Sequence, residues 1–326
     1  MYDIVAHQYM DCVLQPRNSW DERSAALKMI GRMPKDVPFI IIMDRGYESY
    51  NLIETLNRTA NCHYVLRVRT NGIKEISHLP DEECDIEIAI PVTTSYTEYM
   101  KKRTNGETVY KINAPKRHLK ETRSPRTVTQ RWDFEDRCII KFRVVKFFIN
   151  DPDTGKDAWE VLVTNLNRFE FPIAQMKELY HMRWGIETSF LDMKYSLGAI
   201  HFHSKKDEAA QMEIYAHLIM FNAVARNVIA AEEWEAVQAD AAKQAAESTE
   251  VSVIKEVAKE DTKYPYAIDF KMACLSIRRF FRLHSNESIT KLYEELLKYK
   301  QPIRKGRQDE RNVKVKSAVA FTYRVA

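Results

Sequence analysis

Long apolar runs are missing from this 326-residue chain: no stretch of about 18 consecutive apolar residues occurs, the length that a membrane-spanning helix needs. The opening MYDIVAHQYMDC lacks the basic-then-apolar pattern of a secretory signal. Closely spaced cysteines are also missing. Cys12, Cys62, Cys84, Cys138 and Cys274 are scattered, so they read as reduced thiols of a cytoplasmic protein, not as disulfide staples or a zinc site. No internal repeat is visible. What is plentiful is core-forming material. Hydrophobic residues make up 45% of the chain and aromatics 11%, which excludes a mainly disordered protein. The length suits one large domain or two ordinary ones.

Net charge is small, +4, until it is located. Residues 101–146 hold fourteen Lys or Arg, beginning with Lys101, Lys102 and Arg103, against five acids. Residues 301–326 hold seven bases against two acids. Two concentrated basic segments in an otherwise acidic chain suit contact with a polyanion, although solvated surface explains them equally well.

The periodicity predicts an α/β layer first. A strand-like opening over MYDIVAHQYMDCVLQP precedes a helix over 20–32, capped by Ser19 with Glu22 in its first turn. FIIIM follows Pro38 as a short strand of the kind buried on both faces, and it ends at Asp44. Helical spacing over 48–58 and a strand over 63–69 complete the layer. Residues 71–164 read as an all-β, basic insertion without a helix, with turns at Asn105–Gly106 and at Asp153–Thr154–Gly155. Residues 165–230 return to helical periodicity. Residues 231–261 read as an exposed helix or a linker, helices follow at 270–282 and 288–299, and 301–326 is a basic tail.

The most informative stretch is MKELYHMRWGIETSFLDMKYSL, 176–197, read as one helix. At 100° per residue, Met182, Ile186, Phe190, Met193 and Leu197 fall within about 80° and form a core stripe. Tyr180, Arg183, Glu187 and Lys194 fall within about 60° of one another at its border. Glu187, four residues after Arg183, is within pairing reach. Gly185 in mid-helix costs about 1 kcal/mol relative to Ala, a hint that something approaches closely there.

The spacing of Tyr180, Arg183, Glu187 and Lys194 resembles the signature of bacterial insertion-sequence transposases of the insertion sequence 4 type. FIIIMDRGY, 39–47, is similar to that family's strand bearing its second catalytic aspartate, and Asp44 and Glu187 lie 143 residues apart across a β-rich insertion, as in that family. The resemblance spans roughly residues 1–230. It implies a ribonuclease H-like core interrupted by the insertion, with C-terminal helices, and an Asp-Asp-Glu triad. It further implies Mg²⁺ or Mn²⁺ held by Asp44 and Glu187, because a hard cation takes oxygen ligands and a metal pair suits phosphodiester strand transfer. Arg183 and Lys194 would hold DNA phosphates and Tyr180 would position the transferred strand end. Trp159, 28 residues before Glu187, matches a tryptophan that receives a flipped base in hairpin-forming relatives, though it also suits anchoring of the insertion's own core. Trp132 is a weaker candidate, and His201 and His203 read as packing or surface residues. The implied partners are double-stranded DNA, as transposon ends and as target, and a second copy in the DNA complex, without a membrane, in the bacterial cytoplasm at the nucleoid.

One departure stands out. The family's first aspartate precedes the segment resembling YDIVAHQYMDCVLQ, and neither Asp3 nor Asp11 occupies its position, so the expectation is a chain without the first strand of the core and its metal ligand. A catalytically incomplete remnant acting at most as a DNA-binding module is therefore the alternative to an active enzyme. A general interaction protein assembling through its later helices is a third reading.

Overall fold

The computed structural model describes residues 1–16, 21–70, 72–112, 132–151, 156–199, 202–203, 206–247, 265–283 and 286–303. Two compact units emerge: Met1 with Asp11–Arg183, and Tyr2–Met10 with Trp184–Ala326. The opening segment is not a continuous strand. It is a small hairpin of β1 (Tyr2–Asp3) and β2 (Gln8–Tyr9) that belongs to the second unit. Asp3 Oδ1 accepts from the backbone N–H groups of Val5 and Ala6, and this side-chain turn, with His7 at φ 51°, ends strand pairing after two residues.

The first unit is built on a six-stranded mixed sheet. Its strands are β3 (Phe39–Met43), β4 (Cys62–Val68), β5 (Cys84–Thr93), β6 (Tyr110–Lys111), β7 (Arg137–Asp151) and β8 (Lys156–Thr164), in the order β3-β4-β8-β7-β5-β6. β3 runs parallel to β4, and β8 pairs antiparallel with both β4 and β7. The strands of the supposed insertion therefore extend the same sheet that carries β3. Helix α1 (Glu22–Ile30) is capped by Asp21, whose side chain accepts from the Arg23 amide; Ser19, the expected cap, lies outside the described residues. Helix α2 (Tyr50–Arg58) matches its expectation.

The reading of 71–164 as free of helix fails twice, at the short α3 (Lys74–Ser77) and at α4 (Tyr96–Thr104). Ser95 caps α4 through the Glu98 amide, and Lys101, Lys102 and Arg103 occupy its last turn, so capping and dipole outweigh a thin apolar stripe. Asn105–Gly106 closes this helix rather than a hairpin; Asn105 is the C-cap and Gly106 takes φ 79°. The turn expected at 153–155 lies outside the described residues, but Asp151 and Lys156, which flank it, are paired across β7 and β8.

Two cores sandwich the sheet. On one face Met43, Leu66, Val144, Val161 and Val163 pack beneath Leu52, Ile53 and Leu56 of α2. On the other, Val65, Val145, Phe147 and Leu162 pack against Met176 and Tyr180 of α5 (Ile173–His181). β3 is an edge strand among the described residues, and Ile40 is partly exposed. The expectation of complete burial on both faces is met only in part: Phe39 and Ile41 pack on one core and Ile42 on the other.

The single helix expected over 176–197 is broken. α5 ends at His181, α6 (Trp184–Leu191) starts a new helix, and Asp192–Ser196 form a wider π turn. Arg183 N–H bonds back to the Tyr180 carbonyl in a tight turn, so the 100° phase is not carried through, and the proposed stripe fails at exposed Met182 and Phe190 while Leu197 is buried. Tyr180, placed by periodicity at a border, is buried.

In the second unit, α7 (Asp207–Glu247) packs Phe221, Val224, Ala225 and Ala231 against α8 (Phe270–Leu283) and α9 (Ile289–Leu297), beside a small hairpin of β9 (Tyr266–Ile268) and β10 (Lys300–Pro302). The expected linker over 231–261 continues α7 as far as Glu247; the rest lies outside the described residues. By length and composition α7 also meets the requirements of a membrane span, so the absence of a long uninterrupted apolar run does not exclude one; its core-facing residues have partners within the unit.

Candidate active site

The chain leaves β3 at Asp44, which caps a single 3-10 turn, Arg45–Tyr47; its Oδ1 accepts from the Arg45 amide at 2.7 Å. Next to Met43, which faces the α2 core, Asp44 falls on the α5 face of the sheet. There the Tyr180 hydroxyl donates to the same Oδ1 at 3.4 Å, across 136 residues of sequence. The hydrogen bond is long, and it joins the FIIIMDRGY segment to the segment bearing the Tyr-Arg-Glu-Lys spacing. The Arg183 guanidinium lies 5.6 Å from the Tyr180 ring centroid, within cation–π range. Burial pushes the Tyr180 hydroxyl up to about 12; Arg183 and Arg67 oppose this, and Asp44 and Glu160 reinforce it. Tyr180 is therefore a hydrogen-bond donor at any ordinary pH.

Two residues that sequence reasoning missed complete the group. Arg67 on β4 lies one position beyond the Met43–Leu66 pair, alongside Asp44, and its Nε is 2.9 Å from Glu160 on β8. Glu160 is 7% exposed in a strand otherwise made of Val and Leu at this point. A lone acid in WEVLVT and the alternation RVR at 67–69 were the available signals.

Trp159 projects to the opposite face from Glu160, the face of Val161 and Val163. Its ring meets Phe148 edge-on at 5.1 Å, and the Lys146 ammonium lies 4.7 Å above it. This favours its reading as an anchor. Trp159 is half-buried, whereas Trp132 is buried and donates to the Glu135 carbonyl. His203 pairs with Glu213 at the surface, and His201 lies outside the described residues. Among the expected polyanion contacts, Arg143 and Lys146 are 4% exposed and engaged with Asp85 and Asp81, so they are internal structure. Residues 113–131 and all seven tail bases lie outside the described residues.

Glu187 and Lys194 belong to the second unit. Glu187 is half-buried on α6, and Lys194 is exposed on the π turn. The β1–β2 hairpin braces α6: the Tyr9 hydroxyl bonds Ser189 Oγ at 2.8 Å, and a Cβ on Gly185 would meet Ile4 Cγ2 at 3.3 Å. Gly185 is thus the second residue of α6 rather than mid-helix, and the close approach at this position is that of Ile4. Asp3 and Asp11 have local roles, the first in the hairpin turn and the second in an ion pair with Arg32.

For a hard divalent cation the donor chemistry fits. Both hydrogen bonds to Asp44 fall on Oδ1, and Oδ2 has no protein partner among the described residues. No group of three or more His, Cys, Asp or Glu converges among the described residues. Comparison with curated proteins yields no match. The sequence profile of the transposase DDE domain matches residues 1–223, two thirds of the chain, and this chain belongs to the family of DDE transposases.

Proposed function

We propose that the chain is the catalytic portion of an insertion sequence 4-type transposase, cutting DNA at transposon ends and joining it to target by strand transfer. The observation that carries this reading is the bond from Tyr180, a member of the Tyr-Arg-Glu-Lys signature, to Asp44, the acid at the end of the FIIIM strand. Asp44 and Glu187 would hold Mg²⁺ or Mn²⁺, which when bound supplies activation of the attacking hydroxyl and stabilisation of the leaving oxygen. The remaining work falls to the chain itself. Tyr180, protonated, orients Asp44 and lies where a strand end would be positioned. Arg183, with its planar fork, suits bidentate contact with a phosphate, and exposed Lys194 offers a second positive charge. Trp159 stays an anchor in this scheme. The partners would be double-stranded DNA and a second copy of the chain.

β3 supports one more element of the reading. An apolar strand partly packed on both faces yet lying at a sheet edge among the described residues has the composition of an interior strand. We therefore include a further strand beside it, bearing the first aspartate, in the active assembly. The second reading is a DNA-binding remnant without chemistry. One experiment separates them. Glu187→Gln in the complete transposase should abolish cleavage of its element's ends while leaving DNA binding within about twofold, since only the charge of one ligand changes. Equal loss of both would make Glu187 structural, and an inactive parent would establish the remnant.

A further inference from the structure

We propose that Glu160 is a positioning residue whose buried carboxylate fixes the Arg67 guanidinium beside Asp44 as a preset anchor for a DNA phosphate. The inference rests on the transposase reading for the identity of the anion, but not for the pairing itself.

The strand around Glu160 gives no local reason for an acid. Val161, Leu162 and Val163 are all at most 1% exposed, and Glu160 itself is 7% exposed. Burying a carboxylate is costly unless it is paired. One partner is Arg67, whose Nε lies 2.9 Å away and whose side chain is 29% exposed against 8% for the acid. The pair is thus asymmetric, with the anion sealed in the protein and the cation reaching the surface. Register fixes where the cation emerges. Arg67 is adjacent to Asp44 across the parallel β3–β4 pair, and alternation puts both side chains on the α5 face with Tyr180. Alternation also places Glu160 on that face with Leu162.

A flexible arginine gripping a phosphate must first lose its rotamer freedom, whereas one already tied by its Nε has lost most of it on folding. An N–H fork held at one corner suits an incoming phosphate oxygen better than a mobile cation does. Glu160 also balances the positive charge of Arg67 before DNA arrives.

Two readouts test this on the full chain. The first needs no DNA: NMR of the Arg67 Nε–H should show slow exchange with water in the native protein, and fast exchange in Glu160→Gln. The second is binding of a short duplex across a salt series. Glu160→Gln should weaken binding about tenfold and flatten the salt dependence, although it removes a negative charge. Arg67→Ala should lower the log–log salt slope by about 0.9, one phosphate contact. Glu160→Asp should recover most of the loss, and Glu160→Gln should have no added effect on Arg67→Ala. Unchanged exchange, unchanged or tighter DNA binding, or a Glu160 effect that persists without Arg67 would each overturn the proposal. Should Glu160→Gln fail to fold, Arg67→Lys carries the test. It keeps the charge and loses the fork, so binding as tight as the parent's would overturn the anchor. A slow Nε–H in a parent protein that ignores duplex DNA would overturn the anchor role together with the transposase reading, while leaving the pairing intact.

Discussion

Tyr180 shows how much one buried hydroxyl can reveal. Its donor role depends on keeping its proton, and burial pushes its ionisation up to about 12. Tyr180→Phe should therefore alter stability by about 1 kcal/mol or less, because the bond lost is long, while reducing end cleavage severalfold. Thermal melting set against cleavage rate checks this, and equal damage to both would mark Tyr180 as packing alone. Asp192 is shifted in the same direction, with a different consequence at neutral pH, where its carboxyl is still charged. Burial, with Asp269 nearby, pushes its carboxyl up to about 6. A carboxyl raised on folding binds its proton more tightly in the native state, so stability falls as pH rises from about 4 to about 6. Discounted for partial exposure, Asp192→Asn should stabilise the protein by about 1 kcal/mol at pH 7 and by almost nothing at pH 4. Denaturation at the two pH values checks it; an equal effect at both would show that burial does not strain the carboxylate.

At the scale of elements, the strands were the most legible part of the sequence. FIIIM, HYVLRV and WEVLVT declare themselves by β-branched and aromatic content, and all three lie in the sheet. Helix α4 was hidden because its content is polar and its cap, Ser95, sits in a run of residues that equally suits a turn. The break between α5 and α6 was hidden for another reason. No Pro or Gly marks Met182–Arg183, and periodicity carries no signal for a tight turn made by a backbone bond. The segments bearing Asp44 and Tyr180 were legible, but neither their hydrogen bond nor the Arg67–Glu160 pair was, since cross-strand register is absent from a linear reading. α5 depends on Arg143, which donates to both Asp85 oxygens and to the Leu166 and Phe171 carbonyls just before the helix. Arg143→Met should cost about 3–5 kcal/mol by stranding Asp85, read as a lowered denaturation midpoint. A loss below about 1 kcal/mol would mean that α5 is held by its apolar face alone.

On the scale of the whole molecule, β3 lies at a sheet edge among the described residues, and we propose that this edge sets how the chain behaves alone. A strand with apolar residues on both faces and a free edge should self-associate or melt broadly, and pairing with a further strand should relieve it. Sedimentation and calorimetry of the isolated chain check this; a monomer with a sharp transition would contradict it. The proposed sharing of a divalent ion by Asp44 and Glu187 can be read by letting iron(II) replace Mg²⁺ and generate radicals that cut the polypeptide beside its ligands. The expected result is cuts next to both residues, suppressed by excess Mg²⁺ and lost in Asp44→Asn. Cuts at neither position, or at one alone while DNA cleavage persists, would contradict it.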